Sequence, residues 1–318
     1  MNIDKIIKKM TLTQKTVILS GHGQWDTWSF PKLGIPSMIL SDGPHGVRRQ
    51  AGLGDHLGFN ESLPATCFPT ASILACSWDR ELIRRVGLAL GEEAVHYNVS
   101  VILGPGVNIK RSPLCGRNFE YFSEDPYLAG NLAKELMAGI QENGIYACIK
   151  HFAANSQEEQ RMTENSLIDE RTLREIYLTA FEIAVKSRNA KVLMTSYNRL
   201  NGTYTNENKK LLTDILRGEW GYDGMVVTDW GGSNSHVRGV ACGSTLEGTY
   251  TSEDLIPQSF TFDGDKVKIS AFGVEAEGTY KISGDNITFT YSVLGQDLSL
   301  DLGYSKSGKI LVIGGTAF

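Results

Sequence analysis

The feature that most constrains this chain is a repeated couplet: a short β-branched apolar run, then a longer amphipathic stretch. The runs are 37–40 (SMIL), 99–103 (VSVIL), 146–149 (YACI), 191–194 (KVLM) and 224–227 (GMVV). Their shortness, and the glycine or polar residues that bound them, predict buried strands. The stretches between them predict helices. Asp125-Pro126 supplies a cap and a first-turn proline, and Gly144 closes that helix. Asp169 caps a second helix, with Leu173, Ile176, Tyr177, Ala180 and Phe181 on one stripe. Asn206 opens a third, ending near Gly218. Strand–helix alternation implies a mainly parallel sheet, either open or closed into a barrel.

Four of these runs end in polar or ionisable side chains. They lead into Ser41-Asp42-Gly43-Pro44, Lys150-His151, Thr195-Ser196-Tyr197-Asn198 and Thr228-Asp229-Trp230. In a parallel α/β barrel such strand ends share one rim, and that rim holds the active site. The residue types suit sugar chemistry. A carboxylate accepts hydroxyl hydrogen bonds, Lys150 and Arg117 donate them, and Trp230 and Tyr197 present faces to the apolar side of a pyranose. A carboxylate beside an anomeric carbon can form a glycosyl ester, the covalent route of retaining glycosidases. Cationic neighbours, Lys150 and Arg117, favour an ionised Asp229. They also argue against a metal between Asp42 and Asp229, so neither metal nor cofactor is expected. Glu120, Glu124 and Asp125 read as helix-entry and ion-pair residues, and His45 and His236 are left without a role.

Composition changes abruptly near residue 248: every Arg, His, Trp, Cys and Met precedes that point. The division predicted is 1–247 for an α/β domain and 248–318 for a small antiparallel β-rich module, a little barrel or sandwich. In the module SFTFDGDKVKIS reads as a hairpin turning at Asp263-Gly264, DNITFTYS as a further strand, and GTY recurs at 248–250 and 278–280, each time before a strand. Asp263, Asp265 and Asp285 fall in turn contexts without a calcium-loop pattern. The net charge of −5 and the lack of a basic stripe speak against nucleic-acid binding. No apolar run is long enough for a membrane span. The first residues lack the apolar core of a signal peptide, and the five scattered cysteines fit neither a disulfide framework nor a zinc spacing, so a cytoplasmic location is expected.

Six segments in order, SDGPHGVR (41–48), GPGVNIKRSPLCGRNFEYFSEDP (104–126), KHFAANSQEEQR (150–161), DERTLREIYLTAFE (169–182), MTSYNRLNGTY (194–204) and VVTDWGG (226–232), resemble the motif series of family 3 glycoside hydrolases of the β-glucosidase type. The resemblance implies a TIM-type (β/α)8-like barrel, incomplete at its last element, and release of terminal β-D-glucosyl or related residues from a small oligosaccharide or glucoside. It implies Asp229 as nucleophile. Asp42 would hold outer hydroxyls and Arg48 would orient it. Arg117, Lys150 and His151 would donate to hydroxyls. Arg161 would support the pocket, Met194 and Tyr197 would line it, and Trp230 would wall it. Most members take their general acid from a Glu of a following domain. A single-domain subgroup uses a His-Asp pair after its KHF motif, and AANSQEEQ lacks that His. No general acid is therefore identifiable here, and a catalytically impaired sugar-binding protein is the alternative. The open barrel flank is expected to be covered by the tail, a partner or a homo-oligomer. The tail bears a weak likeness to lipocalin-like modules.

Overall fold

The structure is a computed structural model that describes residues 2–52, 60–187 and 190–246, together with strands and one turn residue within 259–317. Two compact units divide between Thr249 and Tyr250. Among the described residues no helix is long and apolar enough to cross a membrane.

The first unit is built on strands β1 (Leu40–Ser41), β2 (Val101–Ile102), β3 (Tyr146–Phe152), β4 (Asn165–Ser166), β5 (Val192–Thr195), β6 (Arg199–Leu200), β7 (Thr203–Tyr204) and β8 (Met225–Thr228). Strands β1, β2, β3, β5 and β8 form one parallel sheet in that order, while β4, β6 and β7 make a small sheet after β3 and β5. A parallel bridge from Val227 to Leu246 adds an edge beyond β8. The order never reverses, which is the barrel pattern and not the doubly wound one. The result is a curled, incomplete barrel with five strands where a complete one has eight.

Local signals account for most helix ends. Asp125 accepts from the N–H groups of Tyr127 and Leu128 at the start of the helix Pro126–Gln141, and Gly144 turns with φ +79° after it. Asp169 accepts from Thr172 N–H at 3.0 Å. Two details differ from the sequence reading. Ile176 is 38% exposed, because Leu173–Tyr177 is wound as a π-turn, with Leu178 N–H donating to Leu173 O. The extra residue in that turn rotates Ile176 off the buried stripe. The third helix spans Lys210–Glu219 and is capped by Asn208, whose Oδ1 accepts from Leu211 N–H. Asn206 is instead buried under β5, at 3.5 Å from Thr195 Oγ1.

The main core lies between the sheet and its helices. Phe152 packs edge-on to Phe181 and Trp220, with ring centroids 5.0 and 5.8 Å away. Each such buried ring contributes roughly 1.5–3 kcal/mol.

The second unit is an up-and-down antiparallel sheet of β9 (Ser259–Asp263), β10 (Lys266–Ala271), β11 (Val274–Ser283), β12 (Asn286–Val293), β13 (Gln296–Ser307), β14 (Ile310–Ile313) and β15 (Thr316–Ala317). Val267, Ile287 and Phe289 are buried, with Ile287 and Phe289 following the period of two. Asp263 pairs with Lys266, flanking the expected turn. Gly264, Asp265, Asp285 and the first GTY lie outside the described residues. The second GTY sits inside β11, not ahead of a strand.

Candidate active site

The chain after β1 must double back to bring Arg48 to Asp42. It does so at Gly43, whose φ is +111°; a Cβ there would stand 1.8 Å from the Gly46 carbonyl oxygen. Arg48 N–H donates to Asp42 O at 3.0 Å, and Arg48 Nη1 comes within 3.9 Å of Asp42 Oδ2. Gly43→Ala is therefore expected to cost roughly 1–3 kcal/mol in thermal or denaturant unfolding and to weaken any ligand bound through Asp42.

Strand β3 delivers two adjacent side chains to one place, which a regular strand cannot do. Its register against β5 shifts between Ile149 and Phe152, so an extra residue is accommodated at Lys150-His151. Lys150 Nζ lies 3.6 Å from both Asp42 Oδ1 and Glu120 Oε2. His151 Nε2 lies 3.6 Å from Asp229 Oδ2 and 2.8 Å from Arg117 Nη2. Arginine can only donate, so Nε2 accepts and the ring proton sits on Nδ1. Nδ1 faces Tyr121 OH at 3.2 Å and Asn108 Oδ1 at 3.3 Å. Burial, with Arg117, Lys150 and Arg161 nearby, holds the His151 pKa well below its ordinary value. The imidazole is thus neutral beside Asp229.

Asp229 follows β8, and its N–H extends the ladder to Thr195 O at 3.2 Å. It is 8% exposed, and its Oδ1 accepts from Trp230 N–H at 2.9 Å. Its electrostatics correct one expectation. Burial raises the carboxyl pKa, and the pull of Arg117 and Lys150 offsets this only in part. In Glu120 the balance runs the other way: burial raises its pKa, but Lys150 and Arg117 overcome that and leave it lowered. Lys150 ends raised, because Glu120 and Asp42 outweigh its own burial.

Arg117 bonds Glu120 through Nε and lies 3.9 Å from Glu158 Oε1. Glu158 also accepts from Arg161 Nη1 at 2.8 Å and Asn155 Nδ2 at 3.1 Å. The Arg161 guanidinium covers the Tyr197 ring at 4.7 Å. Trp230 Nε1 donates to Gln24 O at 2.7 Å. Met194 is buried on β5; its neighbour Leu193 belongs to the sheet–helix core, so alternation turns Met194 to the inside of the curl.

Contacts thus link Asp42, Arg48, Arg117, Lys150, His151 and Asp229 in one cluster, with Arg161 and Tyr197 attached through Glu158. Sequence reasoning did not assign Glu158, Tyr121, Asn108 or Asn155, and it took Glu120 for an ion-pair residue without placing it among the site cations. Two spacings signalled the missing anions: Glu120 lies three residues after Arg117, and Glu158 three before Arg161. Among the described residues no group of three or more His, Cys, Asp or Glu is placed to hold a metal.

A curled, incomplete parallel barrel with a buried carboxylate among cations at its rim defines an α/β barrel domain with a polar, charged rim. The chain belongs to glycosyl hydrolase family 3: the family's N-terminal domain model matches residues 25–245. It is 57% identical over 246 residues to thermostable beta-glucosidase B of Acetivibrio thermocellus, covering 77% of this chain and 33% of that protein. It is 46% identical over 253 residues to an exo-alpha-(1->6)-L-arabinopyranosidase of Bifidobacterium longum, covering 79% and 33%. Among solved structures, beta-glucosidase 3B of Thermotoga neapolitana in complex with glucose aligns with a TM-score of 0.73 and 41% identity, over 77% of this chain and 36% of that one. The chain spans about a third of the length of these relatives.

Proposed function

We propose that this chain carries the sugar pocket and nucleophile of a retaining glycoside hydrolase that acts on terminal β-D-glucosyl or closely related residues. The observation that carries this reading is the cluster of Asp42, Arg117, Lys150 and His151 around the buried Asp229 carboxylate. The names of the relatives, and the glucose complex among them, support the substrate class.

In this reading Asp42, Arg117 and Lys150 hold the hydroxyls of the terminal ring. His151 accepts from Arg117 at Nε2 and so holds that guanidinium beside Asp229, and Trp230 walls the ring. An Asp229 oxygen attacks C1, and the C1–O bond to the leaving group breaks with its electron pair going to that oxygen. A glycosyl ester forms, and water then releases the sugar and frees the carboxylate. Bound sugar turns polar groups toward Asp229 in place of solvent, and the developing oxocarbenium charge at C1 favours the carboxylate form.

The test uses 2,4-dinitrophenyl 2-deoxy-2-fluoro-β-D-glucoside, whose leaving group departs without a proton. The expected result is release of about one equivalent of dinitrophenol and a mass increase on the peptide containing Asp229. Unmodified protein, or label on another carboxylate, would overturn the assignment.

A further inference from the structure

The parallel sheet starts at β1 and runs out beyond β8, and a segment around Trp25 bridges these two sides. Thr27 N–H donates to Met38 O at 3.0 Å and Leu40 N–H to Trp25 O at 2.7 Å, so residues 25–27 lie antiparallel to the chain entering β1. On its other side the segment meets the end of β8. Trp230 Nε1 donates to Gln24 O at 2.7 Å, and the Trp25 and Trp230 rings stand 5.2 Å apart with planes tilted by 41°. The junction is tightly filled. The space bordered by Gln24, Trp25, Leu40, Val227, Trp230 and Leu246 is about 10 Å³, room for one water at most.

Trp25 is tied in turn to the loop that carries Asp42 and Arg48. Its Nε1 donates to Gln50 Oε1 at 2.8 Å. Gln50 is buried two residues beyond Arg48, and its neighbours are held by Leu63 N–H to Arg49 O at 2.7 Å and Ala51 N–H to Glu61 O at 2.9 Å. Trp230 is tied as closely to Asp229. Its N–H donates to Asp229 Oδ1, and both residues belong to a tight turn in which Gly231 has φ +78° and Gly232 N–H donates to Asp229 O at 2.8 Å. Little slack therefore separates the Trp230 indole from the carboxylate that its own peptide group orients. Asp42 stands at one end of this chain of contacts and Asp229 at the other.

We propose that Trp25 is a positioning residue for the reaction at Asp229: a brace that fixes the Trp230 indole, and with it the Asp229 carboxylate, relative to the loop of Asp42. The inference rests on the reading of Asp229 as nucleophile. Attack on C1 needs the reacting atoms aligned at about 3–3.5 Å, and a misplacement of about 1 Å costs up to ~10²-fold in rate. Asp42 places the sugar from one side and β8 places the nucleophile from the other, so a rigid link between them sets the alignment. An indole suits this task. Its broad face packs against Trp230 while its N–H demands a partner, and the two together hold one orientation. An aliphatic side chain would fill the space without fixing the angle of Trp230.

The experiment times the labelling of the full chain by the dinitrophenyl 2-fluoro glucoside. The amplitude of dinitrophenol release counts competent molecules, and the first-order rate constant at saturating reagent reports how well each is aligned. Trp25→Leu is expected to keep an amplitude of about one equivalent and to lose about tenfold or more in rate. Trp25→Phe, which keeps a ring against Trp230, should recover most of that rate. Gln50→Met removes the acceptor of the Trp25 N–H at nearly constant side-chain length; its rate should fall several-fold, and it carries the test if Trp25→Leu does not fold. An unchanged rate constant in the folded variants, or a loss confined to the amplitude, would make Trp25 a structural residue only and overturn the proposal alone. Failure to label the unsubstituted chain would overturn it together with the assignment of Asp229.

Discussion

Asp229→Asn is expected to reduce glycoside cleavage by a factor on the order of 10⁴ or more while raising the melting temperature of the barrel unit. The first effect follows if the carboxylate is the nucleophile, since an amide oxygen forms no stable ester with C1. The second follows from burial. Asp229 has its pKa raised in the folded chain, chiefly by desolvation. An acid whose folded pKa exceeds its unfolded value adds stability at pH below the unfolded pKa, and that contribution is lost as pH rises through the folded pKa. Ionising Asp229 in the folded chain therefore carries a desolvation cost. Asparagine removes the charge, keeps the shape, and leaves an oxygen to accept the Trp230 N–H. Each kcal/mol so gained shifts the midpoint by about 2–4 °C in a unit of this size. The gain should shrink as pH is lowered through the carboxylate range. Paired activity assays and melts from pH 4 to 8 provide the check. A variant that is inactive but less stable at pH 7 would refute the desolvation argument.

Glu120→Gln is expected to have the opposite effect on the fold. The Glu120 side chain is 6% exposed and faces two cations, Arg117 Nε and Lys150 Nζ. Glutamine would leave Lys150, itself 4% exposed, with the more accessible Asp42 and the weaker pull of Asp229 as counter-charges. Removing one partner of a buried ionic cluster typically costs about 3–5 kcal/mol. At about 2–4 °C per kcal/mol, a fall of roughly 6–20 °C in the barrel midpoint is expected at pH 7. The sign with pH is also set. The Glu120 pKa is depressed in the fold, so its contribution is present above the unfolded pKa and is lost as pH falls through the folded one. The gap between wild type and Glu120→Gln should therefore narrow in acid. His151 adds a separate acid sensitivity. Its folded pKa lies well below the ordinary histidine value of about 6.5, so stability falls as pH drops below that value. This second slope persists in Glu120→Gln, which separates the two groups experimentally. A loss of less than about 1 kcal/mol, the size of an exposed pair, would show that the cluster is better solvated than its burial indicates.

The two substitutions bear on one design. The rim sets an anion, Asp229, in a place too dry to favour its charge, and surrounds it with cations that are themselves held by other anions. Asp42 and Glu120 neutralise Lys150; Glu120 and Glu158 neutralise Arg117. The cations are thus stable without being fully spent on Asp229. Stability given up at the reacting group and recovered in its support is the usual relation between function and fold.

Much of this was legible in the sequence because it is local. Strand and helix positions follow from runs and caps a few residues long, such as Asp125-Pro126 and Asp169. Asp42, Lys150, His151 and Asp229 are legible because each sits at or just after a strand end, where chain direction alone sends it to the rim, whereas Arg48, Arg117 and Arg161 lie on loops. Ile176 and Asn206 were misplaced because π-turns and buried polar contacts depend on packing partners far away in the chain. Glu158 was missed because its two arginines, Arg117 and Arg161, lie on different segments.

By itself the sequence determined the alternation of strands and helices, the polar strand tips and the family to which residues 25–245 belong. These are encoded in order and spacing along one chain. Only the tertiary structure decided that strand order never reverses, that an irregularity in β3 turns both Lys150 and His151 to the same site, and that Glu120 stands between two cations. It also decided the sign of the Asp229 shift. That sign is a balance between desolvation and charges brought from β1, β3 and the loop after β2, and such a balance exists only once distances through space are set.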